Sequence, residues 1–179
     1  FNVAAGGTLA IDLPTAPVAA DAELAYPVVT ANTANITGAT LEVRPNSSNG
    51  LYADSYTYND VIVTPGDVDT GTGGLTGTFA NVTTSTGTPL LTFTALYNQN
   101  ENVDGDTIGG DVDLVMTRVA FGAAPGLTIN QSSVGDGIEN VYDPEMTGGF
   151  AGLVGDLFAQ DAAGYADALD QLSGAPYAS

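Results

Sequence analysis

Short alternations of apolar and polar residues fill the first two thirds of the chain and predict β-strands. Leu9, Ile11 and Leu13 fall on one face of an extended segment, and Leu41 and Val43 repeat the alternation further along. Similar Thr- and Val-rich runs, separated by Gly, Asn, Asp or Pro, predict further strands. These runs occupy 25–31, 60–65, 74–83, 90–97 and 111–121.

Two of the predicted strands echo one another. Residues 8–11 (TLAI) and 40–43 (TLEV) match at an offset of 32 positions in a Thr-Leu-x-aliphatic pattern, where x is Ala10 in the first and Glu42 in the second. Regularly spaced short strands are typical of a sandwich, a barrel or a β-solenoid. An echo of this length favours the solenoid, in which each coil buries its apolar face against its neighbours.

After residue 121 the apolar spacing changes from that of strands to that of helices. Asp161 and Gly174 read as the N-cap and the C-cap of the last helix, and Gly135 and Gly137 weaken the first by about 1 kcal/mol each relative to Ala. The pattern therefore predicts β-solenoid coils over 1–121 and a short helical cap region over 122–179. The three apolar stripes consist of Leu127, Val134, Ile138 and Val141, then Phe150, Leu153, Val154, Leu157 and Phe158, then Tyr165, Ala168, Leu169 and Leu172.

The charge balance restricts the partners. The chain has 21 acidic residues and two basic ones, Arg44 and Arg118, which gives a formal net charge of −19. Such a charge repels phosphate backbones and anionic lipids, so a nucleic-acid partner is not expected. It favours cation binding and a salty external medium.

The residue inventory argues against an enzyme. The chain has no His, no Lys and no Cys, which removes Ser-His-Asp, Cys-His and Ser-Lys catalysis and thiolate metal sites. Paired carboxylates, as in a polysaccharide-active glycosidase, remain the distant alternative. No apolar run approaches the about 20 residues that span a bilayer. A start at Phe1 without a basic leader indicates a product of a longer precursor.

Acidic residues concentrate in the stretch 98–110 and just after it, which the pattern predicts as a loop. Closely spaced carboxylates with flexible Gly residues supply the hard oxygen ligands that Ca²⁺ prefers. The alternative is a set of ordinary Asp-Gly turns, and no other cofactor is expected. The candidate calcium ligands are Glu101, Asp104, Asp106, Asp111 and Asp113.

The C-terminal stretch LDQLSGAPYAS resembles the junction segment of bacterial autotransporters (type V secretion), which lies between the passenger and the outer-membrane barrel. Upstream, the strand ending in Thr-Arg, the LTINQ helix start and the Gly-x-Phe run at 77–79 are similar to the last coils of such passengers, so the likeness covers about residues 74–179. Ala175 stands where the pattern carries an acidic residue. The junction residues are Leu169, Gln171, Leu172, Ser173, Gly174, Tyr177, Ala178 and Ser179.

The resemblance implies a right-handed parallel β-helix with a stabilising cap, outside a Gram-negative cell or on its surface. The expected function is structural or adhesive, with a host or biofilm surface as partner and an outer-membrane barrel in the precursor. The alternative is a released passenger that binds other copies of itself through its open end and forms an extracellular filament. On this interpretation, Leu169→Asp and Leu172→Asp should both unfold the cap.

Overall fold

Strands in the first part of the chain are followed by helices in the last part. The computed structural model describes residues 1–14, 26–45, 50–65, 74–103 and 106–174, with backbone alone at 99–103 and 106–108. The strands are β1 (Thr8–Leu13), β2 (Val29–Thr30), β3 (Thr33–Asn35), β4 (Thr40–Pro45), β5 (Ser55–Thr64), β6 (Gly74–Thr76), β7 (Asn81–Thr84), β8 (Leu91–Val103) and β9 (Asp106–Arg118). A 3₁₀ turn (Phe121–Ala123) leads to α1 (Ile129–Glu139), α2 (Gly149–Phe158) and α3 (Ala162–Ser173).

The two echo segments pair with one another. Strands β1 and β4 run parallel, and Thr8 lies opposite Thr40 and Leu13 opposite Pro45, which is the 32-position offset of the sequence echo. Strand β7 continues this sheet on the other side of β4, while β3 pairs parallel with β6 and β2 with β5. Inward positions of the central strands are fully buried, among them Leu41 and Val43.

The solenoid prediction is wrong for the molecule as a whole. The described strands form three small sheets, and the largest has the order β2-β5-β9-β8 with both parallel and antiparallel pairs. The stretch predicted as a loop extends β8 and β9 into a long antiparallel hairpin, in which Val103 lies opposite Asp106. A parallel pair needs a crossover of about a dozen residues or more, whereas a short turn returns the chain antiparallel. The echo also fails to recur, because Thr40 lies opposite Asn81, 41 positions on.

The first helix begins at a Thr128 cap and approaches the 3₁₀ turn at a glycine. The Thr128 hydroxyl accepts the Gln131 backbone N–H, and the Gln131 side chain accepts the Thr128 N–H, which is a capping box. A Cβ on Gly135 would lie 2.6 Å from the backbone of Phe121 and Gly122, whereas a Cβ on Gly137 would meet nothing within 4 Å. Gly135 therefore permits backbone-to-backbone packing. No helix among the described residues combines the length and apolar character needed to cross a membrane.

The two glycines of α1 should respond in opposite directions to the same substitution. Gly137→Ala should raise the free energy of unfolding by about 0.5–1 kcal/mol, because it improves helix propensity without a new contact. Gly135→Ala should lower it by about 1–3 kcal/mol, because the methyl group would overlap backbone atoms that cannot rotate away. Chemical denaturation of both variants checks this, and equal shifts would contradict the close approach at Gly135.

Candidate functional site

The helices dock on the end of β9 through one buried arginine. The Arg118 guanidinium donates two hydrogen bonds to Glu139 at the end of α1, at 2.8 Å and 2.7 Å, and its side chain is 6% exposed. The same guanidinium binds the Asp54 carboxylate in the connection between β4 and β5. Glu139 also accepts the backbone N–H of Phe121 at 3.0 Å. One side chain thus joins a strand, a loop and a helix.

Aromatic residues surround this arginine and fill the space beneath the helices. The Arg118 guanidinium carbon lies 4.6 Å from the ring centre of Tyr142, and the Phe121 ring lies 5.1 Å from that of Tyr142 and 5.5 Å from that of Phe158. The Tyr165 hydroxyl donates to the Phe121 carbonyl at 2.7 Å. We call this set the cap interface. It consists of Arg118, Phe121, Glu139, Tyr142, Phe158, Tyr165 and Leu169.

A reciprocal backbone clamp joins the cap interface to the strand region. The Tyr142 hydroxyl donates to the Tyr52 carbonyl at 2.6 Å and accepts the Tyr52 N–H at 2.8 Å. Burial raises the pKa of Tyr142 to about 12, so the hydroxyl stays protonated and able to donate at neutral pH. The sequence gives little sign of this clamp, because the two residues stand 90 positions apart.

Hydrogen bonds from Arg118 lower the pKa of Glu139 below its usual range, against a smaller opposing effect of burial. The Phe121 N–H lowers the pKa of Glu139 further. The same pairing raises the pKa of Arg118, which therefore stays charged. A carboxylate at the C-terminal end of a helix opposes the helix dipole, so the favourable partner of Glu139 is Arg118.

The depressed pKa predicts a loss of stability on acidification. A carboxyl group whose pKa is lower in the folded state contributes stability above its unfolded pKa, and this contribution disappears as pH falls through the folded pKa. At pH 7, Glu139→Gln should unfold about 1–2 kcal/mol more easily than the wild type. Thermal unfolding from pH 7 to pH 3 should show this difference shrinking below about pH 4.5. Glu145→Gln, at an exposed position nearby, is the control, and a difference constant down to pH 3 would contradict the prediction.

The structure distributes the predicted junction residues between different environments. Leu169 is fully buried in the cap interface, whereas Leu172 is 44% exposed. Gly174 adopts the left-handed conformation of a helix C-cap, at φ 75°, as the sequence predicted. The Ser173 hydroxyl donates to the Asp170 carbonyl. Gln171 is exposed, while Tyr177, Ala178 and Ser179 lie outside the described residues.

A second cluster joins acidic side chains from two strands. Asp60, Asp111 and Asp113 each offer a carboxylate oxygen within 4.8 Å of the others, so the three could hold a metal ion. We call this the aspartate cluster. The register of β5 against β9 shifts between Tyr58 and Ile62, and Asp60 takes a positive φ of 58° within this irregularity. Its N–H then donates to the Asp113 carboxylate at 2.7 Å.

The aspartate cluster overlaps only in part with the residues proposed from sequence. Asp111 and Asp113 belong to it, and the Asn98 amide donates to Asp111 at 2.9 Å. Glu101 and Asp106 lie in β8 and β9, where only the backbone is described, and Asp104 lies outside the described residues. Sequence reasoning missed Asp60. Its signal was the Asn-Asp pair that interrupts the strand pattern at 59–60, since both residue types tolerate left-handed backbone.

Comparisons with protein-family models, with curated proteins and with solved structures gave no match for this chain. The autotransporter resemblance therefore stays a prediction. The cap interface and the aspartate cluster are the two structural features that bear on function.

Proposed function

We propose that the chain is a non-catalytic structural segment of a secreted or surface-exposed autotransporter passenger, in which the helices cap and stabilise the strand region. The observation that carries the proposal is the position of the junction pattern. Leu169, within that pattern, is fully buried beneath the helices, and Tyr165 on the same helix bonds to the turn that follows β9. One residue of the pattern, Leu169, thus belongs to the packing that supports the cap.

The electrostatics of the cap agree with a stabilising role. Of two basic residues in the chain, one is buried at the junction of strand, loop and helix, where it pairs with Asp54 and Glu139. The remaining acidic excess keeps the surface soluble in a salty medium. We expect the chain to act as a folded stem between an adhesive region and an outer-membrane barrel, with a host or biofilm surface as the eventual partner.

A surface-display experiment tests the proposal. The chain, with an epitope tag before Phe1, is fused ahead of a bacterial outer-membrane barrel and expressed in Gram-negative cells. We expect tag on intact cells, attached to a stem that resists added protease. Leu169→Asp should abolish this resistance, whereas Leu172→Asp should preserve it. Equal display and equal resistance in wild type and Leu169→Asp would refute a stabilising cap.

Calcium is the ion that best suits the aspartate cluster. Three carboxylates supply the hard oxygen ligands that Ca²⁺ prefers, and water completes its six to eight ligands. Asp111 is buried, and Asp60 brings a further negative charge to it from the neighbouring strand. Their mutual repulsion would be relieved by a bound cation, so calcium would lock β5 to β9 in the medium outside a cell.

Calcium should therefore stabilise the wild type and leave a cluster variant unchanged. A free calcium concentration of about 100 times the Kd adds about 2.7 kcal/mol, which for a domain of this size raises Tm by at least about 5 °C. Asp113→Asn should be more stable than wild type without calcium, because repulsion falls, and should lose the response. Asp12→Asn, at an exposed position on β1, is the matched control. An equal calcium response in all three proteins would contradict the site.

The second candidate function is self-association through the sheet edges that no strand of the described residues covers. Strands β1 and β2 both lie at sheet edges, and Leu9 and Val29 are half-buried there, while Leu41 in the next strand is fully buried. Unpaired strand edges are templates for another chain. A copy that adds a strand there would complete the burial of these side chains and begin a filament.

Light scattering and negative-stain microscopy between 20 mM and 500 mM salt distinguish the two candidates. A filament subunit with a net charge of −19 should assemble as salt screens its self-repulsion. Leu9→Asp should prevent the assembly, and Ala10→Asp, on the exposed face of the same strand, should not. A monomer at every salt concentration would refute self-association and leave the stem.

A further inference from the structure

The helical segment carries a groove that neither proposed function uses. It lies between α2 and α3 and has a volume of about 540 Å³, within the range of ligand-binding pockets. Leu153, Leu157 and Leu172 give it apolar walls, and Gly152 and Ala168 keep it open. A Cβ at Gly152 would meet no atom within 4 Å. Leu153 and Leu172 remain 37% and 44% exposed, although both belong to the predicted apolar stripes.

One carboxylate lies in this groove without a cation to neutralise it. Asp156 is exposed on the face of α2 between the groove leucines. The chain contains two basic residues, and both bind other carboxylates, since Arg44 pairs with Glu42 and Arg118 with Asp54 and Glu139. The molecule therefore offers Asp156 no positive side chain of its own.

The absence of a basic side chain that could pair with Asp156 indicates which kind of partner fits the groove. A second copy of the chain could cover the leucines, but it would bring further acidic charge and no free arginine. A partner segment with Leu-type side chains and Lys or Arg could pack on the apolar walls of the groove and pair with the Asp156 carboxylate. An amphipathic helix lying in an apolar groove between two helices is an established recognition mode.

We propose that the α2–α3 groove binds a basic amphipathic helical segment of another protein. Apolar side chains of that segment would pack on Leu153 and Leu172, and a Lys or Arg at its edge would pair with Asp156. The ten residues of α2 give the groove a wall of about 15 Å at 1.5 Å per residue, the length of about three helical turns. The inference does not require the passenger role.

Fluorescence anisotropy with three synthetic 15-residue peptides tests the proposal in 0.1 M salt. The first peptide has Leu at helical spacing and Arg at the flanks, the second replaces Arg with Glu, and the third replaces Leu with Ser. We expect the first to bind at least about tenfold more tightly than either of the others. Equal affinity of the Arg and Glu peptides, or of the Leu and Ser peptides, would overturn the proposal. The Leu and Ser peptides carry the same Arg residues, so the general attraction of a −19 chain for cations cannot produce a difference between them.

Protein variants locate the binding. Leu153→Ser should weaken binding of the first peptide about tenfold. Leu172→Asp changes a more exposed residue of the groove wall and should also weaken this binding. Asp156→Asn should weaken it about three- to fivefold, with the difference vanishing at 0.5 M salt. Glu145→Gln, outside the groove, should bind as the wild type does. Unchanged affinity in both leucine variants, or self-association abolished by Leu153→Ser, would overturn the proposal.

Discussion

Replacing Arg118 with Met should lower the free energy of unfolding by about 3 kcal/mol, because it leaves a partly buried carboxylate without its counter-charge. The Met side chain keeps the apolar stem of Arg118, so the loss reports on the guanidinium. Glu139 would retain only the Phe121 N–H, and Asp54 would lose its link to the helices. Chemical denaturation, followed by far-UV circular dichroism, measures the change.

Arg44→Met is the matched control, since the chain has no other basic residue. Arg44 pairs with Glu42 on the surface of β4, and its side chain is 52% exposed. Exposed pairs contribute about 0–1 kcal/mol, so we expect little change. Equal destabilisation by the two variants would mean that loss of positive charge from a highly acidic chain matters more than position, and that the Arg118 network has no special role.

Leu169→Asp should unfold the helical region at room temperature, with a loss of about 4 kcal/mol or more. Leu169 is fully buried, and its replacement would place an unpaired carboxylate in the apolar core. The measurement is the loss of helical ellipticity together with exposure of apolar surface to a reporter dye. A variant whose Tm equals that of the wild type would contradict the assignment of Leu169 to the cap interface.

Leu172→Asp tests the same chemistry three residues later on the same helix. The sequence alone predicts that both substitutions unfold the cap, but the exposure of Leu172 predicts a change within about 0.5 kcal/mol. The sequence prediction differs from the structure because an apolar stripe shows which residues share a face of the helix. It does not show how much of that face the neighbouring element covers.

Local signals in the sequence were read accurately where the physics is local. The Asp161 N-cap and the Gly174 C-cap each depend on hydrogen bonds within four residues, and both are present as predicted. The capping box at Thr128 is equally local, but its reciprocal pair was not predicted. The echo matches the register of β1 on β4, because Leu9 and Ile11 recur as Leu41 and Val43 at the alternate positions that point inward.

The pattern of apolar and polar residues did not predict how segments far apart in the sequence pair. Whether a strand pairs parallel or antiparallel depends on the turn before it. The acidic stretch that reads as a loop forms antiparallel pairs between β8 and β9 beyond Asn98, with two shifts of register. Asp60 meets Asp111 across 51 positions, and Arg118 meets Glu139 around a turn and a helix. The spacing of such pairs along the sequence does not distinguish them from other residues. The rarity of arginine, with two in 179 residues, does make each arginine a candidate for a structural role.

The two kinds of strand pairing impose an order on assembly. The β8–β9 hairpin closes between Val103 and Asp106, whereas β1 must find β4 across 32 positions and β4 must find β7 across 41. Short-range closure is faster and loses less chain entropy than long-range closure. The hairpin should therefore form early and serve as the template for its own sheet, on which β5 and then β2 add. Pulse-labelled hydrogen exchange would show this as amides of β9 protected before those of β1.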